Sequence, residues 1–303
     1  MIPIGEFDNL EFRYNTFLEC AKRESEYPDE GLPKMVLSAY ASERDLSEHQ
    51  KILLAYLYGM CYNPLTAIYL FEEYPFGRGQ EEEDWWVEHK EILDFQQDKV
   101  KIKYMNQLVP SIRSFCENFD SVQATVLHLG FDDLKKAVIP VRYFGSHATY
   151  LMCDVLEVMF GKDLPCLPKK IYWNEHRLPS EGALHLIGYD EMIPLKEKSL
   201  SKETRDLLDV VLENILSTTS LGLLETESTL CAYRKLFKQT RYSGYYRDRH
   251  LENINNCKLS QHIIDFNLKV RRALIPEELL GEYSGWDGIR KDKCKEFKVY
   301  GKL

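Results

Sequence analysis

The chain lacks the features that support a disulfide-stapled, zinc-binding or sheet-based protein. Its eight cysteines are scattered singly along 303 residues, and no two of them form a CxxC pair. Thiols spaced in this way predict reduced cysteines and no metal or cofactor site. Long runs that alternate polar and apolar residues are missing, as are Asn-Gly dipeptides. Their absence argues against an extended sheet and favours helices.

The chain also lacks a clear targeting segment. Its first residues carry neither the basic region nor the apolar core of a signal peptide, so we expect a cytoplasmic protein. An uncharged stretch at 52–71 has the length of a membrane span. However, Ser47 and Gln50 fit a capping box, and Asn63 followed by Pro64 is a typical helix start. These signals predict two buried helices and no membrane partner.

Composition and charge are those of a globular protein, with 44 % hydrophobic and 29 % charged residues and a net charge of −9. The charge is unevenly distributed: residues 1–84 hold 7 basic and 17 acidic side chains, whereas 228–250 hold six basic and one acidic, a net charge of +5. The basic run is typical either of a solvated face or of a phosphate site. The overall acidity argues against loose coating of DNA and for local contact.

Helical periodicity dominates the chain and predicts an all-α protein. It is clearest in five segments, namely 47–62, 64–73, 146–160, 202–216 and 223–237. We expect a single helical catalytic domain 1–303, or two packed lobes at about 1–125 and 126–285, with a basic C-terminal tail 286–303. The candidate lobe junctions are a Pro-rich turn at 163–168 and a loop around 179–182.

A turn that contains Pro and Gly leads into the third of these helices. Gly145 permits a tight turn, and Ser146 is expected to cap the helix. His147, Tyr150 and Asp154, spaced i, i+3, i+7, share one face, away from the apolar stripe. An imidazole, a phenol and a carboxylate on one face are suited to proton transfer, although a plain solvent-facing stripe gives the same pattern.

This segment resembles the helix–hairpin–helix of DNA base-excision glycosylases. It has a short helix at 131–138, a turn with Pro140 and Gly145, and then the longer helix. In that motif the second helix presents backbone N–H groups and its positive end to a DNA phosphate. The resemblance implies a two-lobed, glycosylase-like helical fold. Glycosylases place a catalytic aspartate soon after this helix, whereas residues 164–169 hold no carboxylate.

A second group of reactive residues lies in the predicted helix 223–237. Glu227, Cys231 and Lys235, spaced i, i+4, i+8, fall on one stripe of that helix. A neighbouring ammonium favours the thiolate form of a cysteine, and a carboxylate can accept a proton. The alternative is an ordinary surface pair beside a core cysteine.

A third group interleaves tyrosines with arginines. Such a composition is expected where bases stack and phosphates are gripped, and it also occurs in packed, tyrosine-rich loops. Its candidate residues are Arg241, Tyr245, Tyr246, Arg247, Asp248 and Arg249.

Together these groups resemble motifs of the phage thymine-hypermodification superfamily, which includes the α-glutamyl/putrescinyl-thymine pyrophosphorylases and the amino acid:DNA transferases. Residues 144–154 are similar to its motif of an aromatic residue, glycine, a small residue, tyrosine and aspartate. Residues 230–235 are similar to its leucine-cysteine-glutamate-aromatic-any-lysine motif, with Ala232 in place of the glutamate. Residues 180–183 are similar to its Gly-rich loop and keep Gly182 as their one glycine.

The resemblance extends over about residues 47–255, and the basic stretch 241–249 is most similar to the amino acid:DNA transferase branch. It implies a reaction in which an amine, such as glycine or serine, attacks DNA that carries 5-(pyrophosphoryloxymethyl)uracil. Pyrophosphate leaves, and a C–N bond forms at the methylene group. The target base has to leave the stack. Such an enzyme, if phage-encoded, would work in the host cytoplasm.

The motifs also predict roles for individual residues. Cys231 is a candidate nucleophile toward C6 of the uracil. The other candidates are Asp154, Glu227 and His147 to deprotonate the amine; Lys235, Arg241, Arg247 and Arg249 to bind pyrophosphate or the DNA backbone; Tyr245 and Tyr246 to stack the base; and Tyr150, Ser146, Gly145, Gly182, Arg234 and Asp248 for further substrate or DNA contacts.

Two other functions remain open at this point. The chain could be a helix–hairpin–helix glycosylase or a non-catalytic DNA-binding module, in which the hairpin acts and the 227–235 stripe is incidental. It could also be a helical interaction subunit whose acidic N-terminal third binds another protein.

Overall fold

A computed structural model of the chain describes residues 9–26, 29–95, 107–189, 199–237 and 245–275. These residues form fourteen helices and no strand, so the predicted all-α class is confirmed. The helices are α1 (Leu10–Glu26), α2 (Leu32–Glu43), α3 (Glu48–Cys61), α4 (Pro64–Glu73), α5 (Gln80–His89), α6 (Leu108–Glu117), α7 (Phe119–His128), α8 (Phe131–Ala137), α9 (Ser146–Phe160), α10 (Arg177–Leu186), α11 (Lys202–Thr218), α12 (Leu223–Phe237), α13 (Tyr245–Asn255) and α14 (Gln261–Leu274).

The local signals in the sequence place α3 and α4 correctly. Ser47 Oγ accepts a hydrogen bond from the backbone N–H of Gln50, and the side chain of Gln50 accepts one from the backbone of Ser47. Asn63 Oδ1 accepts from the N–H groups of Leu65 and Thr66 at the start of α4. The capping box and the Asn-Pro helix start are therefore both confirmed.

None of the described helices has by itself the length and hydropathy of a membrane span. Helices α11 and α12 pass such a test only as a pair, and the two axes are bent by 108° at the break between them.

The helices belong to two compact units whose segments alternate along the chain. Unit 1 contains the described residues within Met1–Leu32, Lys170–Glu252 and Leu274–Leu303, and unit 2 contains those within Pro33–Lys169 and Asn253–Ala273. Unit 1 therefore holds α1, α10, α11, α12 and most of α13, and unit 2 holds α2 to α9 and most of α14. The observed division of the chain differs from the predicted lobe boundary near residue 125, because α1 packs on α10 and α12, which lie far along the chain.

The core of unit 1 is built from the inner faces of α1, α10, α11 and α12. Phe17 of α1 meets Tyr233 of α12 edge to face, with ring centroids 5.9 Å apart. Leucines and isoleucines of α11, such as Leu208 and Ile215, close the same cluster. Burial of these apolar side chains stabilises the arrangement in which α10 and α12 lie side by side.

The core of unit 2 centres on α3 and α9. Tyr56 of α3 stacks on Phe115 of α6, with centroids 3.7 Å apart, and its ring also contacts Phe144 in the turn before α9. The hydroxyl of Tyr56 lies 2.7 Å from Ser111 Oγ, which satisfies it inside the core. Aromatic packing therefore holds the turn that precedes α9.

Two details of the sequence prediction are wrong. Residues 179–182 lie inside α10 and do not form a loop, because this segment buries an apolar face against α12. Gly145 rather than Ser146 is the N-cap of α9, and no side chain caps that helix.

Candidate functional site

Helix α12 of unit 1 carries most of the predicted reactive residues, and α10 crosses it at a glycine. A Cβ added at Gly182 would lie 2.3 Å from the backbone oxygen of Leu230, so only glycine permits this approach. Gly182, predicted as part of a substrate-binding loop, is thus a packing residue within a helix. Its effect on the site is indirect, since it lets polar side chains of the two helices meet.

The first of these meetings joins Glu227 of α12 to His176, the residue that precedes α10. Imidazole Nδ1 lies 3.2 Å from Glu227 Oε1, and both side chains are largely buried. A carboxylate at this position holds the ring in one orientation. The sequence singled out Glu227 but not His176, which lies 51 residues away and belongs to no recognisable motif.

Cys231 lies one turn after Glu227 and one turn before Lys235, as the spacing predicts. Its side chain is buried. The three predicted residues therefore do lie along one stripe, and that stripe is directed into the protein.

Lys235 ends this stripe in a buried contact with a carboxylate and a phenol. Its Nζ donates to Glu30 Oε1 at 2.8 Å and to the hydroxyl of Tyr246 at 2.6 Å. The side chains of Lys235 and Glu30 are only 6 % and 7 % exposed. A buried ion pair of this kind depends on both partners, because either charge alone would be costly in the interior.

The predicted Arg/Tyr stretch begins α13 and is also turned largely inward. The backbone N–H of Arg247 donates to Asp29 Oδ1 at 2.8 Å, and the Arg247 guanidinium lies 3.9 Å from the same oxygen. Asp248 is buried as well, and Arg249 binds Glu252 at 2.7 Å. Tyr245 is half-buried and packs edge to face on the ring of Tyr246. Arg241 lies outside the described residues.

A second polar contact between α10 and α12 has two cations around one carboxylate. Arg177 Nε donates to Glu181 Oε1 at 2.6 Å, and Arg234 Nε donates to Glu181 Oε2 at 2.8 Å. Burial by itself would raise the pKa of Glu181, but the hydrogen bonds from Arg177 and Arg234 outweigh it and lower the pKa below its ordinary value. Of these residues the sequence singled out only Arg234 as a binding residue.

Unit 2 holds the other predicted proton-transfer residues, on α9. Asp154 lies 3.8 Å from Lys34 Nζ of α2, and both side chains are mostly buried. Tyr150 is buried and packs edge to face on Phe131, so the stripe of three residues on α9 is not a plain solvent-facing one. His147 is exposed in the first turn of α9. The contact of Tyr150 with Phe131 of α8 is one that helical spacing alone could not show.

A turn at 138–145 joins the short helix α8 to the longer helix α9 within unit 2. Val141 and Phe144 anchor it in the core, whereas Ile139 is 77 % exposed and Tyr143 adopts a left-handed backbone with φ of 62°. A groove of about 650 Å³ beside it is lined in part by Lys135, by apolar side chains and by the start of α9, including Gly145 and Ser146.

The structure therefore gathers the predicted residues into separate groups. Unit 1 places Glu227, Cys231, Lys235 and Tyr246 on or against α12, and unit 2 places the α9 residues around α8 and α2. The partners that the sequence missed, His176, Glu30 and Asp29, come from segments without a motif. Their isolated acidic or histidine side chains gave no signal before the fold brought them to α12.

Comparison with known proteins adds no relative to this picture. No protein-family model, no curated protein and no solved structure matches the chain.

Proposed function

We propose that this protein is a transferase that joins an amine, such as an amino acid, to 5-(pyrophosphoryloxymethyl)uracil in DNA. The amine nitrogen forms a bond to the methylene carbon while the bond from that carbon to the pyrophosphate oxygen breaks. The electrons of the broken bond leave with pyrophosphate, and a proton leaves the amine. The protein therefore has to accept one proton and to favour departure of an anion.

The observation that carries the proposal is the pairing along α12. The two charged residues of its stripe, Glu227 and Lys235, each contact titratable groups from outside the stripe: His176 in one case, Glu30 and Tyr246 in the other. Chains of acid and base groups held in a mostly buried setting are suited to proton transfer. A solvated surface stripe would leave the same residues exposed.

Glu227 and His176 together take the role of proton acceptor in this proposal. The carboxylate holds the imidazole through Nδ1, and the pair takes the proton that the amine releases. Lys235 is bound to Glu30 and Tyr246, so we assign it a positioning role that keeps the phenol in place.

Cys231 offers a covalent version of the same reaction. Its thiolate would add to C6 of the uracil and push electrons through C5, so that pyrophosphate departs from the methylene group. The amine would then add to the exocyclic methylene and the thiolate would leave. A Cys231→Ser variant separates the two versions, since full activity would leave Cys231 a packing role.

Contact with the DNA backbone is the role that we propose for the α8–α9 turn of unit 2. Helix α9 begins at Gly145 without a side-chain cap, so its first backbone N–H groups offer donors to a phosphate. Lys135 lies in the wall of the adjoining groove.

The experiment that tests the proposal is nucleoside mass spectrometry. DNA carrying the pyrophosphorylated base is incubated with the protein and a mixture of amines and amino acids, and the digested nucleosides are analysed. We expect a new nucleoside whose mass equals thymidine with one amine added, less two hydrogens, together with released pyrophosphate. The proposal is wrong if no amine yields such a product.

Glu227→Gln is the decisive variant, because glutamine keeps the size of the side chain and a contact to His176 but cannot accept the proton. We expect the rate of product formation to fall on the order of a hundredfold or more. Glu213→Gln, on the exposed side of α11 in the same unit, is the matched control and should keep the wild-type rate. Equal rates in the two variants would remove Glu227 from the chemistry.

The α8–α9 turn also favours a second function, that of a DNA-binding or base-excising protein without transfer. Its short helix, tight turn and uncapped second helix are the parts which such a protein needs. Release of a free base from the same DNA, with no amine adduct, would favour base excision. Binding without any change in the DNA would favour a non-catalytic module.

A further inference from the structure

The turn between α8 and α9 in unit 2 exposes an apolar and an aromatic side chain. Ile139 is 77 % exposed and Tyr143 is 48 % exposed. Apolar side chains that are exposed singly are ordinary on a protein surface, but these two lie four residues apart in one turn. Ile139 also lines the groove beside the turn, whose volume of about 650 Å³ is that of a ligand site.

Buried residues hold the backbone of this turn on both sides of its exposed tip. Val141 and Phe144 are buried, whereas Arg142 and Tyr143 between them are exposed. The backbone N–H of Arg142 donates to Ser114 Oγ of α6 at 2.8 Å, which ties the tip to the core of unit 2. The two exposed side chains therefore project from a fixed backbone, and this lowers the entropy lost when they bind a partner.

Tyr143 has a strained backbone and a ring that contributes no contact to the fold. Its φ of 62° lies in the left-handed region, which favours glycine and is costly for a residue with a Cβ. In the part of the chain that the structure describes, its ring packs on no other ring and its hydroxyl has no hydrogen bond. Packing within unit 2 thus gains nothing from the ring, and its use lies outside the fold.

Arg142 places a positive charge next to this ring. Its side chain is exposed, and its guanidinium forms no ion pair with any acidic residue of the described segments. The lysines of α8 differ, since Lys135 and Lys136 lie 3.1 and 2.9 Å from Asp132 and Asp133. The tip of the turn therefore presents one open cation beside one open aromatic ring.

The tyrosines that the sequence predicted to stack a base are not placed in this way. Tyr246 is only 5 % exposed and its hydroxyl accepts a hydrogen bond from Lys235. Tyr245 packs edge to face on the ring of Tyr246. The predicted stacking role therefore moves from these residues to Tyr143.

We infer that Ile139, Arg142 and Tyr143 form a contact surface for an unpaired DNA strand. The ring of Tyr143 stacks on the face of a base, and Arg142 binds a neighbouring phosphate. Bases in a duplex cover each other's faces, so a protruding tyrosine ring is matched by an unpaired strand and not by paired DNA. That the strand is DNA rests on the proposed function.

The first test measures fluorescence anisotropy of a labelled oligothymidylate and of a duplex of equal length at low salt. We expect the wild type to bind the single strand more tightly. Tyr143→Ala should lower that affinity by about fivefold to a hundredfold, the effect of losing one base–aromatic stack, whereas Tyr143→Phe keeps the ring and should bind like the wild type. Tyr189→Ala removes a tyrosine that is 39 % exposed in unit 1 and is the matched control. Equal affinities of Tyr143→Ala and Tyr189→Ala overturn the inference.

The second test separates the phosphate contact from the stack by varying the salt concentration. Arg142→Gln should reduce the slope of log association constant against log salt by about 0.7, which corresponds to one phosphate contact on a single strand. Tyr143→Ala should leave that slope unchanged. Arg272→Gln, at an exposed arginine of α14 in the same unit, is the matched control. If Arg142→Gln and Arg272→Gln give the same slope, Arg142 binds no phosphate.

A glycine variant shows whether the loss of affinity arises from damage to the fold. Glycine suits the left-handed backbone, so Tyr143→Gly should unfold at the wild-type temperature or above it and still lose the affinity that Tyr143→Ala loses. Wild-type affinity in Tyr143→Gly would show that the ring makes no contact with the strand.

The outcomes distinguish this inference from the proposed function. Binding of the single strand that depends on Tyr143, without any transfer of an amine, counts against the proposed function alone. Transfer with unchanged strand affinity in Tyr143→Ala counts against the inference alone. A wild type that binds neither DNA overturns the inference and assigns the exposed turn to a protein partner.

Discussion

Helices α9 and α12 offer a direct comparison, because both are 15 residues long and both are crossed by a neighbour at a glycine. Gly59 of α3 meets the backbone oxygen of Ala148 on α9, and Gly182 of α10 meets that of Leu230 on α12. The residues beside the two crossings differ: aromatic rings flank the first, and the cluster of Glu181 flanks the second. The same close helix crossing at a glycine is therefore flanked by aromatic side chains in unit 2 and by charged side chains in unit 1.

The buried ion pairs of the two helices also differ in their geometry. Lys235 of α12 donates to Glu30 at 2.8 Å and to a phenol, whereas Asp154 of α9 lies 3.8 Å from Lys34. The first contact is a charge-assisted hydrogen bond, and the second is longer than a normal hydrogen bond. We therefore expect the contact of Lys235 with Glu30 to contribute more to stability than that of Asp154 with Lys34.

The largest expected effect comes from breaking the α12 pair. Lys235→Met leaves the carboxylate of Glu30 buried without its cation, and we expect a loss of about 3–5 kcal/mol in the free energy of unfolding, measured by urea denaturation. For this reason a Lys235→Ala variant does not test catalysis cleanly, because its fold is compromised.

The double variant Glu30→Gln/Lys235→Met should regain much of that loss, since it buries no unpaired charge. Lys34→Met in unit 2 is the matched comparison, and a smaller loss is expected there. Equal losses at the two lysines would contradict the larger contribution that we expect from the Lys235 contact.

The next effect tests the two crossings. Alanine normally stabilises a helix relative to glycine, but at both positions the added methyl group would meet a backbone oxygen. We expect Gly182→Ala and Gly59→Ala each to destabilise the protein by roughly 1–3 kcal/mol, with the larger loss at Gly182. Thermal and urea unfolding measure both.

The smallest effect is a pH dependence at Glu181. Its pKa is lowered in the folded protein from an ordinary value of 4.5, so its contribution is present above that value and disappears as the pH falls through the folded value. We expect the free energy of unfolding of the wild type to exceed that of Glu181→Gln by about 1 kcal/mol near neutral pH. The difference should shrink below about pH 4.5, as followed by urea unfolding at several pH values. A constant difference would mean that the arginines do not act on the charge of Glu181.

Local patterns in the sequence predicted much of the helical framework. The capping box at Ser47, the start of α4 at Asn63 and the bounds of α9 and α12 all follow from interactions within a few residues. The stripe of Glu227 and Lys235 follows in the same way from helical spacing. Because the residues involved lie within a few positions of one another, these features can be predicted from the sequence alone.

The partners of these residues could not be read in this way. Glu30 is 205 positions from Lys235, and His176 is 51 from Glu227. Gly182 looked like a loop glycine, because a glycine that admits a neighbouring helix has no local signal. Tyr150 looked like part of an open polar face until α8 covered it.

The sequence by itself thus determined that this chain is helical and which residues share a stripe on each helix. Only the tertiary structure decided which charged side chains are buried and which distant groups pair with them. The physical reason is that helix spacing is a local property of the chain, whereas neutralisation of a buried charge depends on whatever distant segment packing brings within hydrogen-bond distance.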